Sequence, residues 1–203
     1  LMSITGEPTD SHGNGGPVRA GVAVTDLFSG MYATNAIQGA LLERHRSDLG
    51  QHIDIALLDV QTAVLANQAS NYLVGGEVPG RIGNSHPNIV PYQAFATQDG
   101  HLILAVGNDA QFQRFCDVID QPQLALDSRY ASNRARVENR ETLCQQISDL
   151  LKKNDTDDWL QRFENNSIPC GPINSIDQVF ADPQILARKM QISIADKRAG
   201  EIP

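Results

Sequence analysis

Cysteine is scarce in this sequence. Cys116, Cys144 and Cys170 stand far apart, an odd number with neither the close spacing of a metal site nor the even set of a disulfide framework. Reduced thiols are the simplest reading, and with them a cytoplasmic location. Long apolar runs are missing too. Hydrophobic residues make up 41% of the chain but come in short blocks, none reaching the ~18 consecutive residues that a membrane helix needs. No stretch reads as a secretory leader. Positive charge is the minority sign, with 16 Lys and Arg against 24 Asp and Glu and a formal net charge of −8. That balance disfavours nucleic acid or an anionic membrane as the main partner. There is no GxGxxG after a strand, no P-loop lysine, no GxSxG and no HExxH, so no metal site, phosphate cradle or serine-hydrolase triad is expected. Neither an internal repeat nor a low-complexity segment occurs. The 203 residues suffice for one sizeable domain or two small ones. Opening at Leu1 and ending on Ile202–Pro203, the chain reads as a piece of a longer protein.

What is present is organised around residues 21–42, GVAVTDLFSGMYATNAIQGALL. The small apolar run 21–24 reads as a short strand. Thr25 and Asp26 then break the pattern, and Ala33, Ile37, Ala40 and Leu41 recur at helical spacing. A carboxylate is thereby expected where a strand hands over to a helix, beside helix-start amides. That position suits a nucleophile or an acid–base group. It suits a plain N-cap equally well, and capping is the commoner role of Asp at such a junction. Residues 43–46, ERHR, give the helix a basic end.

Along the rest of the chain the pattern alternates between compact and punctuated stretches. Residues 1–20 have loop composition, with His12 as a solvated loop histidine. Residues 51–56, QHIDIA, alternate as a strand would, and a second helix is expected over 57–73. Residues 75–91, GGEVPGRIGNSHPNIVP, are too rich in glycine and proline for an ordinary connection and mark a domain boundary. His86, inside that loop, is solvated or backbone-bonded on general grounds, although loop histidines can be functional. Residues 92–97 and 101–106 bracket Asp99–Gly100 and predict a β-hairpin. Helices follow at 109–119, 139–152 and 156–164, the last capped by Thr156. Residues 168–173, IPCGPI, read as a turn in which Cys170 is unreactive. Short helices are expected at 176–180 and 183–189, the latter capped by Asp182 with Pro183 at its first position, and a final strand at 190–195.

Taken in series, LMSITG, GVAVTDLFSGMYATNAIQGALLER with GQHIDIALLD, GNSHPNIVPYQAFATQDG and IPCGPINSIDQVFADPQILARKM resemble the class III CoA-transferases. That group includes formyl-CoA transferase and succinate–glutarate CoA-transferase. The resemblance covers nearly the whole chain, and its third block is most similar to the dicarboxylate branch. It implies an α/β protein: part of a Rossmann-type large domain plus a small α+β domain with an antiparallel hairpin. Residues 1–74 would end the first large-domain half and carry the nucleophile. Residues 75–91 would be the linker and active-site loop, 92–190 the small domain, and 191–203 the start of the return segment.

The resemblance further implies transfer of coenzyme A from an acyl-CoA donor to a carboxylate acceptor by a longer enzyme. Asp26 would be the nucleophile and form an aspartyl-CoA thioester. Coenzyme A thioesters would be substrates, with no tightly bound cofactor, and an interlocked homodimer is implied. Gly83, Asn84, Ser85 and His86, followed by Pro87, fall where a glycine-rich loop closes over the intermediate in formyl-CoA transferase, though the stretch 83–87 has a single glycine. Leu57 falls where the family lines part of the CoA pocket. Two other readings stay open. One is an α-methylacyl-CoA racemase-like epimerase, which shares the fold and uses the Asp as a base. The other is a fragment inactive by itself.

Overall fold

A computed structural model describes residues 1–202. The chain divides into two compact units, Leu1–Asn84 and the residues from Ser85 onward.

The first unit is helical. Helix α1 spans Val24–Ser47, α2 spans Leu57–Ala63 and α3 spans Ala66–Leu73. The basic residues Arg44, His45 and Arg46 lie in the last turn of α1, as expected, where they complement the helix dipole. The strands expected at 21–24 and 51–56 do not form. A strand needs a neighbour for its backbone N–H and C=O groups. In this unit the described residues offer only an isolated antiparallel bridge, Gly6 to Gly83. Val24 becomes the first residue of α1, and the N-cap position falls on Ala23, whose side chain caps nothing. Asp26 is therefore not the cap. The second helix breaks in two at Val64–Leu65, and Ala66 takes a positive φ of 48°.

The bridge depends on glycine at both ends. Gly6 and Gly83 have φ of 115° and 66°. A Cβ on Gly6 would lie 2.2 Å from the Gly16 carbonyl oxygen, and one on Gly83 would lie 2.7 Å from the Glu7 carboxylate. Arg81 reinforces the junction, donating from Nε to the Glu7 carbonyl (3.1 Å) and from Nη2 to Thr9 Oγ1 (2.8 Å).

The second unit is built on a three-stranded antiparallel sheet, β1 (Tyr92–Ala96), β2 (His101–Ala105) and β3 (Cys170–Pro172), in that order. The hairpin expected around Asp99–Gly100 forms, pairing Tyr92 with Ala105 and Ala96 with His101. The stretch read as a turn at 168–173 instead contributes β3, with Leu104 opposite Cys170. Its proline and glycine are tolerated because β3 lies at the edge of this sheet.

Helices α4 (Asp109–Val118), α5 (Pro122–Leu126), α6 (Asn133–Glu138), α7 (Arg140–Leu151) and α8 (Thr156–Asn165) follow the hairpin, α8 leading into β3. No periodicity announces α5 or α6, which are only five and six residues long. Phe112, Phe115, Leu143, Ile147, Leu151, Trp159 and Phe163 project from these helices into one core with Phe95, Leu102, Leu104 and Val106 of the hairpin region. Trp159 and Phe163 stack at 5.4 Å, and Phe163 meets Phe115 at 5.7 Å. Burying each such side chain is worth about 1.5–3 kcal/mol.

Thr156, expected as the cap of α8, is its first helical residue, and the N-cap position is Asp155. The cap arrives from the hairpin instead: Asp99 Oδ1 accepts from both the Thr156 amide and its hydroxyl, each at 2.8 Å. Asp182 does cap α10 (Pro183–Ala187), accepting from the Gln184 and Ile185 amides, after the short α9 (Ile176–Ala181). The last expected strand is shorter and later than 190–195: β4 (Ile194–Asp196) pairs with an unanticipated β5 (Gly200–Ile202).

Candidate active site

Asp26 is the third residue of α1, exposed, in the turn whose backbone amides have no intrahelical acceptor. A carboxylate there sits in the positive end of the helix dipole. It lies on a hollow of about 310 Å³ lined by Arg19, Ala20, Val22, Thr25 and Gln61, with Leu1 and Met2 beside them. The Thr25 hydroxyl donates to Gln61 Oε1 and joins the start of α1 to α2. That bond fixes the Gln61 amide. Its Nε2, and the Ser29 hydroxyl one turn beyond Asp26, are buried without a hydrogen-bond partner among the described residues. Unpaired buried polar atoms are uncommon in folded proteins and mark places where a ligand or water is owed. Arg19 and Gln61 gave no sequence signal, because neither belongs to a local pattern with Asp26.

The other expected residues are scattered. Leu57 is the first residue of α2, exposed, and not among the residues that line this hollow. Gly83 donates its amide to the Gly6 carbonyl (3.0 Å), and Asn84, exposed, ends the first unit. Ser85 and His86 open the second unit, where Ser85 Oγ donates to Gln93 Oε1 (2.9 Å). The His86 ring stacks on Tyr92 with centroids 5.0 Å apart, and its amide donates to the Tyr92 carbonyl (2.8 Å).

Side chains from α6 and α7 hold the segment that follows. Asn133 donates to the Asn88 carbonyl (2.8 Å) and accepts from the Val90 amide (3.2 Å). Arg136, fully buried, donates to the carbonyls of Val90 (2.7 Å) and Tyr130 (2.9 Å) and pairs with Asp109 (2.8 Å). Arg140 donates to the Pro87 carbonyl (2.8 Å). No local pattern could have linked residues 133, 136 and 140 to a loop about fifty positions earlier.

The thiols are chemically quiet. Burial pushes Cys116 up to about 12 and Cys144 up to about 11. Cys170 is raised by burial and by nearby Glu164, which keeps it protonated and agrees with its reading as unreactive. Among the described residues, no group of three or more His, Cys, Asp or Glu is placed to hold a metal ion. No helix among them is long and apolar enough to cross a membrane.

A carboxylate at a helix start is common to many folds. The family model for CoA-transferase family III matches residues 1–203. The chain belongs to that family. It is 52% identical over its whole length to a succinate–glutarate CoA-transferase from Agrobacterium fabrum, covering 50% of that protein. It is 41% identical over 202 residues to the human succinyl-CoA:glutarate CoA-transferase, covering 45% of it. Among solved structures, a CAIB/BAIF family protein from Brucella suis matches with a TM-score of 0.73 and 43% identity, over 99% of this chain and 55% of that one. The chain thus spans about half the length of the curated relatives it matches.

Proposed function

We propose that this family III chain is part of a longer acyl-CoA:carboxylate CoA-transferase that handles dicarboxylates such as succinate and glutarate, with Asp26 as its nucleophile. The observation that carries the reading is the position of Asp26, exposed on the first turn of α1 and on a hollow with an unpaired Gln61 amide nitrogen. The names of the matched relatives support the substrate class.

In the proposed reaction an Asp26 oxygen attacks the thioester carbonyl of the donor. The C–S bond breaks, CoA thiolate leaves and a mixed anhydride forms. The thiolate then attacks the Asp26 carbonyl, expelling the donor's carboxylate and leaving an aspartyl-CoA thioester. The acceptor carboxylate displaces the thiolate to give a second anhydride. Attack of the thiolate on the acceptor's acyl carbon yields the new acyl-CoA and frees Asp26. Each step passes through an oxyanion, which the positive end of the α1 dipole is suited to stabilise. The thioester's energy is conserved throughout, so no further cofactor is required.

In this reading residues 1–74 belong to a large domain and 92–190 to a small one, joined by 75–91. The enzyme is a homodimer working on carboxylic acids in the cytoplasm. Gly83, Asn84, Ser85, His86 and Leu57 face the substrates. An acyl-CoA epimerase would use Asp26 as a base opposite a histidine. The names of the matched relatives support transfer.

The test is an exchange assay on the full-length enzyme with succinyl-CoA and glutarate. Asp26→Ala and Asp26→Asn should each lower turnover by at least about a thousandfold, since no other group can carry the covalent intermediate. Turnover near the unmodified level in either variant would refute the assignment.

A further inference from the structure

The turn that carries Asp26 is held by less than a helix start usually has. The N-cap residue, Ala23, offers no side-chain acceptor, and no side chain of α1 is buried. The first-turn amides therefore lack the partner that ordinarily pins a helix end. Of the side-chain hydrogen bonds that α1 makes among the described residues, those of Thr34 and Ser47 return to its own carbonyls, at Gly30 and Glu43. The Thr25 hydroxyl alone reaches another element, donating to Gln61 Oε1 on α2. Thr25 immediately precedes Asp26, and Thr25, Asp26 and Gln61 line one hollow.

The Gln61 end of this bond is the fixed one. Gln61 follows Val60, the buried residue of α2, and is itself partly buried. Its Nε2 is covered and has no hydrogen-bond partner, so the amide has the Thr25 hydroxyl as its one partner. Buried amide groups seldom stay half-paired. This one keeps an acceptor turned to α1 and nothing else. Successive side chains on a helix stand about 100° apart around the axis, so pinning Thr25 also sets the direction in which Asp26 projects.

We propose that Gln61 is the positioning residue of the nucleophile: through Thr25 it pins the uncapped first turn of α1 and holds the Asp26 carboxylate toward the hollow. The assignment rests on the reading of Asp26 as the nucleophile. In this role Gln61 touches no reacting atom. It acts ahead of the chemistry, sparing the attack the cost of orienting a carboxylate on a loose helix end.

The test is rapid-quench kinetics of the full-length enzyme with succinyl-CoA and no acceptor, following CoA bound to Asp26. Amplitude counts the competent enzyme; rate reports how well each competent enzyme is oriented. Thr25→Val keeps the shape and loses the hydroxyl, and should slow adduct formation about tenfold or more at unchanged amplitude. Gln61→Met, similar in length but without the acceptor, should do the same. Thr25→Ser returns the hydroxyl and should recover most of the rate. Because one bond carries both effects, the double variant Thr25→Val/Gln61→Met should be no slower than either single one. The two single variants read the same bond from its two ends, so either one that folds suffices. A lower amplitude at an unchanged rate would make the bond a matter of fold stability and overturn the proposal. So would effects that multiply in the double variant, or single variants as fast as the unmodified enzyme. An unmodified enzyme with no adduct on Asp26 would overturn the nucleophile reading and this assignment together, whereas the other outcomes overturn this one alone.

Discussion

Helices α1 and α7 both carry apolar residues at helical spacing, yet they end in opposite circumstances. In α7 Leu143, Ile147 and Leu151 are fully buried in the second unit's core. In α1, twice as long, no side chain is buried, and Leu27, Phe28, Met31, Tyr32, Ile37 and Leu41 stay exposed. Sequence pattern therefore specifies that a helix has an apolar face; it does not specify what covers that face. An uncovered face of this extent is unusual for an independent globular unit. It accords with a chain half as long as its relatives, and with the proposed homodimer.

The sharpest way to break this contrast is amide hydrogen exchange. Amides of α7 and α8 should exchange only through global unfolding of the second unit, while those of α1 and α2 exchange through local opening. Protection factors should differ by about a thousandfold or more. Comparable protection in α1 and α7 would mean that α1 is covered in solution.

Single substitutions give the next largest effect. Phe163→Ala removes a ring packed against Phe115 and Trp159 and should cost about 3–5 kcal/mol in chemical denaturation. Phe28→Ala on α1 should stay within about 0.5 kcal/mol. Equal costs would erase the distinction between the two regions.

A smaller effect is expected at the seam between hairpin and α8. The amide and then the hydroxyl of Thr156 hold the Asp99 pKa below the ordinary carboxylate value. A carboxyl whose pKa is depressed on folding stabilises the fold above its unfolded pKa, and that contribution fades as pH falls through the folded value. Melting of the second unit should therefore lose stability on acidification. Asp99→Ala should start lower at neutral pH and lose less on the way down. A parallel pH dependence in the two proteins would remove Asp99 from the account.

Much of the second unit was legible because its signals are local. Asp99–Gly100 between two apolar runs declares a hairpin, Asp182–Pro183 declares a helix start, and Phe112, Phe115, Leu143 and Ile147 repeat at helical spacing. The errors have a common cause. The strand at 21–24 was expected from a small apolar run and that at 51–56 from alternation, whereas a strand exists only where another backbone pairs with it. Cys170–Pro172 was read as a turn because β2, its partner, lies far away in sequence. That Asp26 lies at a helix start was legible from the pattern, although its place as the third residue of α1 was not. The Gln61 amide, the Arg19 side chain and the grip of Asn133, Arg136 and Arg140 on the loop are tertiary facts. No spacing in the chain encodes them.

The central claim is that Asp26 becomes covalently joined to coenzyme A during turnover. The direct measurement is to mix the full-length enzyme with succinyl-CoA in the absence of acceptor, quench, and map the adduct by peptide mass spectrometry. A hydroxylamine-sensitive mass increase equal to CoA less one water should appear on the peptide carrying Asp26, and disappear when glutarate is added. An adduct on any other residue, or steady turnover with Asp26 never modified, would contradict the account.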